Sequence, residues 1–286
     1  MPEAEYSLRE YRTTRFETAA ASVCVPPDYP MFPLIHCADL TRQTRGALSA
    51  ERILRLGRIE PVMCKVFGEE LVYTYIGRPA YREFLRPVCF ILKSLPVLLQ
   101  NLFVFDTGAY SESRYRRLVD SFQDIHLFRI PADMDSVRKF ILKYFGSNEN
   151  YFFSRASGHP LSDPMDSLEE FSYEAFRVLD SFRVLGFDDR CRTLENIIRG
   201  PVVLAHALQG VILPESGRRP DDYPGWDGSV PPGVDLMTYD DRNGLASPGE
   251  CHESLNRVLY GYYREKGVFK SDEPGKGPED ASEPVS

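Results

Sequence analysis

Four short segments of the chain carry side chains that can do chemistry. In Leu34-Ile35-His36-Cys37-Ala38-Asp39-Leu40 an imidazole closes an apolar run, and an aspartate stands where it would cap the next helix. An imidazole titrates near neutral pH and can serve a functional site, although most histidines in such settings serve packing or a turn. In Tyr73-Thr-Tyr75-Ile-Gly77-Arg78-Pro79-Ala80-Tyr81-Arg82 the period of two sends Tyr73 and Tyr75 to one face of a strand. Gly77 then permits a sharp turn and Pro79 stiffens it, so that Arg78 projects from a fixed corner. A guanidinium held in this way suits the fork of a phosphate or carboxylate; the plainer alternative is a surface ion pair.

The other two segments hold carboxylates. In Phe103-Val-Phe105-Asp106-Thr107-Gly108-Ala109-Tyr110, Asp106 follows an apolar strand directly, a place where ligand loops often sit. An Asx turn leading into a helix near Ser113 to Phe122 would read the same way. In Asp188-Asp189-Arg190-Cys191-Arg192-Thr193-Leu194-Glu195, the glutamate lies on or beside a later strand. Such a carboxylate can merely pair with Arg190 or Arg192; as a catalytic group it would have to meet the other three segments in space.

The elements that must gather these segments can be read from apolar spacing. Phe32 to His36 reads as a short buried strand, after a segment in which Pro26, Pro27, Pro30 and Pro33 break any helix. A helix over Ala47 to Leu56 is stopped by Gly57. Leu71–Tyr75, Pro87–Leu92 and Leu102–Phe105 are β-branched and aromatic, hence strands. Val137, Phe140, Ile141 and Tyr144 share one helical face, opened by Asp133 or Asp135 and closed by Gly146. A capping box, Ser167 to Glu170, opens a second helix carrying Phe171, Ala175, Leu179 and Phe182 as far as Gly186. Thr193–Ile198 and Leu208–Leu213 are further strands, and His252–Lys266 is a closing helix. Between them, residues 214–249 hold six prolines and six glycines and read as one long loop. Short strands interrupted by helices, without βαβ alternation, define an α+β class. The expected organisation is an N-terminal extension over 1–30, a single domain over 31–269 and a disordered acidic tail over 270–286.

Composition narrows the classes. The chain has 286 residues, 43% of them hydrophobic and 27% charged, enough to build a core without disulfide or metal staples. None of its six cysteines pairs at zinc-site or redox-motif spacing, so free thiols and no metal are expected. No apolar run is long enough to span a membrane, and the first 30 residues lack the apolar core of a secretory signal, so a cytoplasmic protein without a membrane partner is expected. The formal net charge of −8 disfavours a broad nucleic-acid face but leaves room for a local basic groove.

Over residues 32 to about 215 the order of pieces resembles the ADP-ribosyltransferase fold, and within it the DarT-type nucleic-acid-modifying toxins and their relatives. The resemblance rests on Ile35-His36-Cys37-Ala38-Asp39-Leu40 ahead of a helix closed by glycine, on the corner Tyr75-Ile76-Gly77-Arg78-Pro79-Ala80-Tyr81, and on Leu194-Glu195-Asn196 as the strand carrying the essential glutamate. A second place for that glutamate is the strand ending Val211-Ile212-Leu213-Pro214-Glu215, whose own position holds Gln209. The chain departs from the family after His36, where the usual hydrogen-bonding pair is missing, and in its acidic charge.

The resemblance implies a split antiparallel or mixed β-sheet core with flanking helices, and NAD as the substrate. ADP-ribose would pass to a macromolecular acceptor, nucleic acid or protein, with release of nicotinamide. Glu195 would stabilise the oxocarbenium character of the ribose and take the proton of the nucleophile. His36 would hold the adenine-side ribose or the nicotinamide end by a hydrogen bond, Tyr75 or Tyr81 would stack on the nicotinamide ring, Arg78 would neutralise the pyrophosphate or steer the acceptor, and Asp106 would contribute to NAD binding. The alternatives are an NAD glycohydrolase, with water as acceptor, and a non-catalytic binding protein on the same fold. No GxGxxG segment supports a Rossmann mode of binding.

Overall fold

Pro87–Leu92 is buried along its whole length, which is why it reads as an unbroken apolar run: it is an inner strand covered on both faces. The computed structural model describes residues 14–43, 47–80, 84–111, 125–153, 189–218, 230–241 and 247–269. In chain order the strands are β1 (Leu34–Asp39), β2 (Arg58–Ile59), β3 (Val62–Met63), β4 (Glu70–Ile76), β5 (Pro87–Leu92), β6 (Asn101–Phe103), β7 (Arg129–Ile130), β8 (Glu195–Arg199), β9 (Val202–Val203), β10 (Leu208–Pro214) and β11 (Asp235–Tyr239). One sheet runs β11-β10-β5-β1-β4-β8-β6-β7, with β3 added beside β4, while β2 and β9 pair separately. Its ladders are antiparallel except for the parallel pair β10–β11, so the sheet is mixed.

The helices are α1 (Thr14–Ala19), α2 (Ala50–Leu56), α3 (Thr107–Ser111), α4 (Met134–Phe145), α5 (Asn148–Phe152), α6 (Leu204–Ala207) and α7 (Pro248–Glu265). Their ends follow local chemistry. Gly57 and Gly146 take the left-handed conformation that closes α2 and α4. The Asp133 carboxylate accepts the Ser136 N–H to open α4. Ser247 and Glu250 form a reciprocal capping box on α7, with Pro248 in its first turn. This architecture of mixed sheet and flanking helices is α+β.

Several expectations are corrected. Residues 214–249 are not one loop: Asp235–Tyr239 forms β11 and extends the sheet beside β10. Counting prolines and glycines hid it, because a five-residue strand survives between such residues when a neighbour supplies the ladder. The segment ahead of the prolines holds α1, whose Phe16 and Ala19 are buried in the common core. His36 does not end its strand but lies within β1. Asp39 does not cap α2, which starts after Ser49; its carboxylate instead accepts the N–H groups of Arg42 and Leu85. The helices expected over 113–122 and 167–186, and the acidic tail, lie outside the described residues.

Two packing features bear on the site. The ladder between β1 and β4 comprises two positions, Leu34↔Ile76 and Ile35↔Tyr75, whereas β1 and β5 pair over six. The Asn148 side-chain amide donates to the carbonyls of Pro30 and Val268, fastening the segment before β1 and the segment after α7 to the α4–α5 junction.

Candidate functional site

β4 carries Tyr75 to a position directly opposite Glu195, the first residue of β8. Cross-strand partners share a face, so phenol and carboxylate project together on the sheet side that also carries Phe103 of β6. Immediately after β6 the chain turns into α3, and two consecutive residues there grip the two partners. The Tyr75 hydroxyl donates to Asp106 Oδ2 at 2.7 Å. Thr107 donates to Glu195 Oε2 through its backbone N–H at 2.9 Å and its hydroxyl at 2.7 Å. The other Asp106 oxygen accepts the Ala109 N–H at 2.8 Å, which is the Asx arrangement given above as the plainer alternative for this residue, here opening α3. The Asp106 N–H in turn donates to the Arg190 carbonyl at 3.0 Å, joining the segment before β8 to the same loop.

The group is dry. Glu195 is 1% exposed, Asp106 2% and Thr107 0%. Burial first, and the Asp106 carboxylate second, push the Glu195 carboxyl well above the usual range; the two Thr107 bonds and the Arg190 charge pull the other way without prevailing. Tyr73 lies on the same face two residues before Tyr75, and its hydroxyl donates to the Cys64 thiol. Burial, then the nearby Glu195 charge, raises the Tyr73 phenol far above its ordinary value.

The arginine corner forms as its glycine requires: Gly77 has φ of +67°, and a Cβ there would stand 2.4 Å from Phe32 Cγ. Arg78, expected to project, turns inward instead. It is buried, and Nη1 donates to the Tyr151 carbonyl at 3.1 Å. The Tyr151 hydroxyl donates to the Ile76 carbonyl at 2.9 Å and accepts the Leu194 N–H at 3.0 Å. Tyr151 thus ties the end of β4 to the residue preceding Glu195, and Arg78 is linked to that residue through it.

His36 is not part of this group. Ile35 pairs with Tyr75, so alternation along β1 puts His36 on the opposite face from Tyr75 and Glu195. Its Nδ1 pairs with the Tyr73 carbonyl at 2.8 Å, where the short β1–β4 ladder has ended. Burial lowers its pKa, only partly offset by that bond. Gln209, the alternative position, donates to the Tyr262 hydroxyl. Tyr81 lies outside the described residues.

Thr107 and Arg190 were within reach of sequence reasoning, since each stands in a segment already singled out. Tyr151 was not; its only signal is a short helix after the cap residue Ser147. A cavity of about 270 Å³ lies elsewhere, lined among others by Met31, Lys93, Gln209 and Tyr262 and by none of the expected site residues. Among the described residues no cluster of three or more His, Cys, Asp or Glu is placed to hold a metal, and no helix is long and apolar enough to cross a membrane. No family model, curated protein or solved structure matches the chain significantly.

Proposed function

We propose that the chain cleaves the bond between nicotinamide and ribose in NAD and transfers ADP-ribose to a macromolecular acceptor, with Glu195 as its central carboxylate. The observation that carries this reading is the pairing of Tyr75 with Glu195 across β4 and β8, each held by one residue of the Asp106-Thr107 turn. The two-residue ladder between β1 and β4 supports the split-sheet reading that accompanies it. Cleavage builds positive charge on the ribose, and a carboxylate in a water-poor site stabilises that charge far more than it would in water. A cationic ribose beside Glu195 would also favour its ionised form, against the burial that now disfavours it. Tyr75 would supply an aromatic surface, while Arg78 acts as a positioning residue, holding Tyr151 and through it Leu194 next to Glu195. Substrate must displace the Thr107 turn to touch the carboxylate, because Glu195 is closed off in this conformation.

The test is incubation with NAD labelled in its adenosine half, with and without protein and nucleic-acid acceptors. Label bound to an acceptor supports transfer, and free ADP-ribose supports the glycohydrolase variant. Glu195→Gln is expected to lower either activity by about a hundredfold or more; unchanged turnover removes Glu195 from the chemistry. The burial of Glu195 and its double bond from Thr107 also favour a second reading, a binding protein in which the carboxylate only fastens the turn. Calorimetry with millimolar NAD helps to separate the two, since absence of a heat of binding favours the second.

A further inference from the structure

Cys37 of β1 and Cys89 of β5 are direct cross-strand partners. Directly opposed residues of an antiparallel pair have Cα atoms about 4.5 or 5.5 Å apart, both within the span of roughly 4.4–6.8 Å that a disulfide bridges. The two thiols are within hydrogen-bonding reach of each other. Their exposures differ in a useful way: Cys37 is half-buried and Cys89 fully buried. Tyr263 of α7 faces the same pair. Its ring is fully buried, its hydroxyl has no hydrogen-bond partner, and both thiols are close enough to act on its ionisation.

We propose that Cys37 and Cys89 form a site of reversible thiol oxidation, in which a hydroperoxide converts the facing thiols into a cross-strand disulfide. The half-buried Cys37 meets the oxidant. Its thiolate attacks one peroxide oxygen, the O–O bond breaks, and hydroxide leaves to take up the proton released from the thiol as water; the product is a sulfenic acid at Cys37. Cys89 then attacks that sulfur, forming the S–S bond as the S–O bond breaks, and its proton leaves with the departing hydroxide as a second water. Two electrons pass from the thiol pair to the peroxide, and a dithiol reductant returns them by exchange. Burial and the adjacent thiol hold Cys89 well above the ordinary thiol range, so it is Cys37 that meets the oxidant first. The bond would fix β1 to β5 one residue beyond His36, on the β1 edge remote from β4.

The experiment treats the full chain with hydrogen peroxide, caps remaining thiols with iodoacetamide, and maps cysteine peptides by mass spectrometry before and after dithiothreitol. The expected result is a linked pair of peptides containing Cys37 and Cys89, two hydrogens lighter than their sum and released by the reductant. The oxidised chain should melt higher by about 5–10 °C, the size typical of a bridge of this loop length. Cys89→Ala should leave a sulfenic acid at Cys37 that dimedone captures, and Cys37→Ser should abolish the link with the reduced melting temperature nearly unchanged. Oxidation of Cys37 to sulfinic acid in the intact chain, a bond from Cys37 to the exposed Cys24, or both thiols remaining reduced after Cys24 has been consumed would each overturn the proposal.

Discussion

Thr107 gives both of its donors to one oxygen of Glu195, at 2.9 and 2.7 Å. The hydroxyl bond is testable without touching the carboxylate. Thr107→Val keeps the backbone donor and the side-chain volume but leaves a fully buried carboxyl with one partner fewer. Urea unfolding should show a loss of about 1–3 kcal/mol. Thr107→Ser should recover most of it, and equal stability of the Val and Ser forms would show that the hydroxyl bond contributes nothing.

Glu195 also sets a slope of stability against pH. Its folded pKa lies above the unfolded value, so between those two values the folded chain binds more protons than the unfolded chain. The contribution is full below the ordinary glutamate range near pH 4.5 and is lost as pH rises through the folded pKa. Glu195→Gln carries no such loss. The variant should therefore melt higher than the parent at neutral pH, by about 2–4 °C for each kcal/mol regained, and the gap should close on approach to pH 4. A gap that widens on acidification contradicts the assignment.

His36 acts with the opposite sign. Burial depresses its folded pKa below 6.5, so acidification lets the unfolded chain take up a proton that the folded chain refuses. Its contribution is present above about pH 6.5 and is lost as pH falls through the folded value. His36→Gln keeps a donor for the Tyr73 carbonyl and removes the titration. Thermal melts from pH 7.5 to 5 should fall less steeply for the variant, and parallel curves would exclude His36 as the cause.

Gly77 and Gly200 both have positive φ, but only one is crowded. A Cβ at Gly200 meets nothing within 4 Å, whereas at Gly77 it strikes the Phe32 ring. Phe32 in turn packs on Tyr151, Tyr263 and Phe269. Gly200→Ala should cost about 1 kcal/mol for the backbone alone. Gly77→Ala should add a packing cost of about 1–3 kcal/mol, visible as a lower urea midpoint. Similar midpoints for the two variants would mean that Phe32 yields freely.

Much of the fold was legible because local chemistry and tertiary structure agree. Asp133 and Gly146 bound α4 as their types require, and the apolar runs at β4, β5 and β10 are strands. The disagreements arise where a distant segment decides. β11 exists because β10 offers it a ladder, which no window on residues 235–239 contains. Arg78 was expected to face outward because nothing near it in sequence hints at the Tyr151 carbonyl, 73 residues away. Tyr75, Asp106 and Glu195 do converge, yet it took the β4–β8 register to reveal that Thr107 closes over the glutamate. His36 was misplaced for a simpler reason: a one-residue step along a strand reverses the face, and the sequence alone does not set the register against β4.

One amide side chain, that of Asn148, holds the carbonyls of both Pro30 and Val268. The two flanks of the polypeptide therefore share a clasp, and trimming on either side would loosen the other. Shortened versions that begin after Pro30 or stop before Val268 should fray at the same place, so useful truncation limits are set by a residue in the middle of the chain.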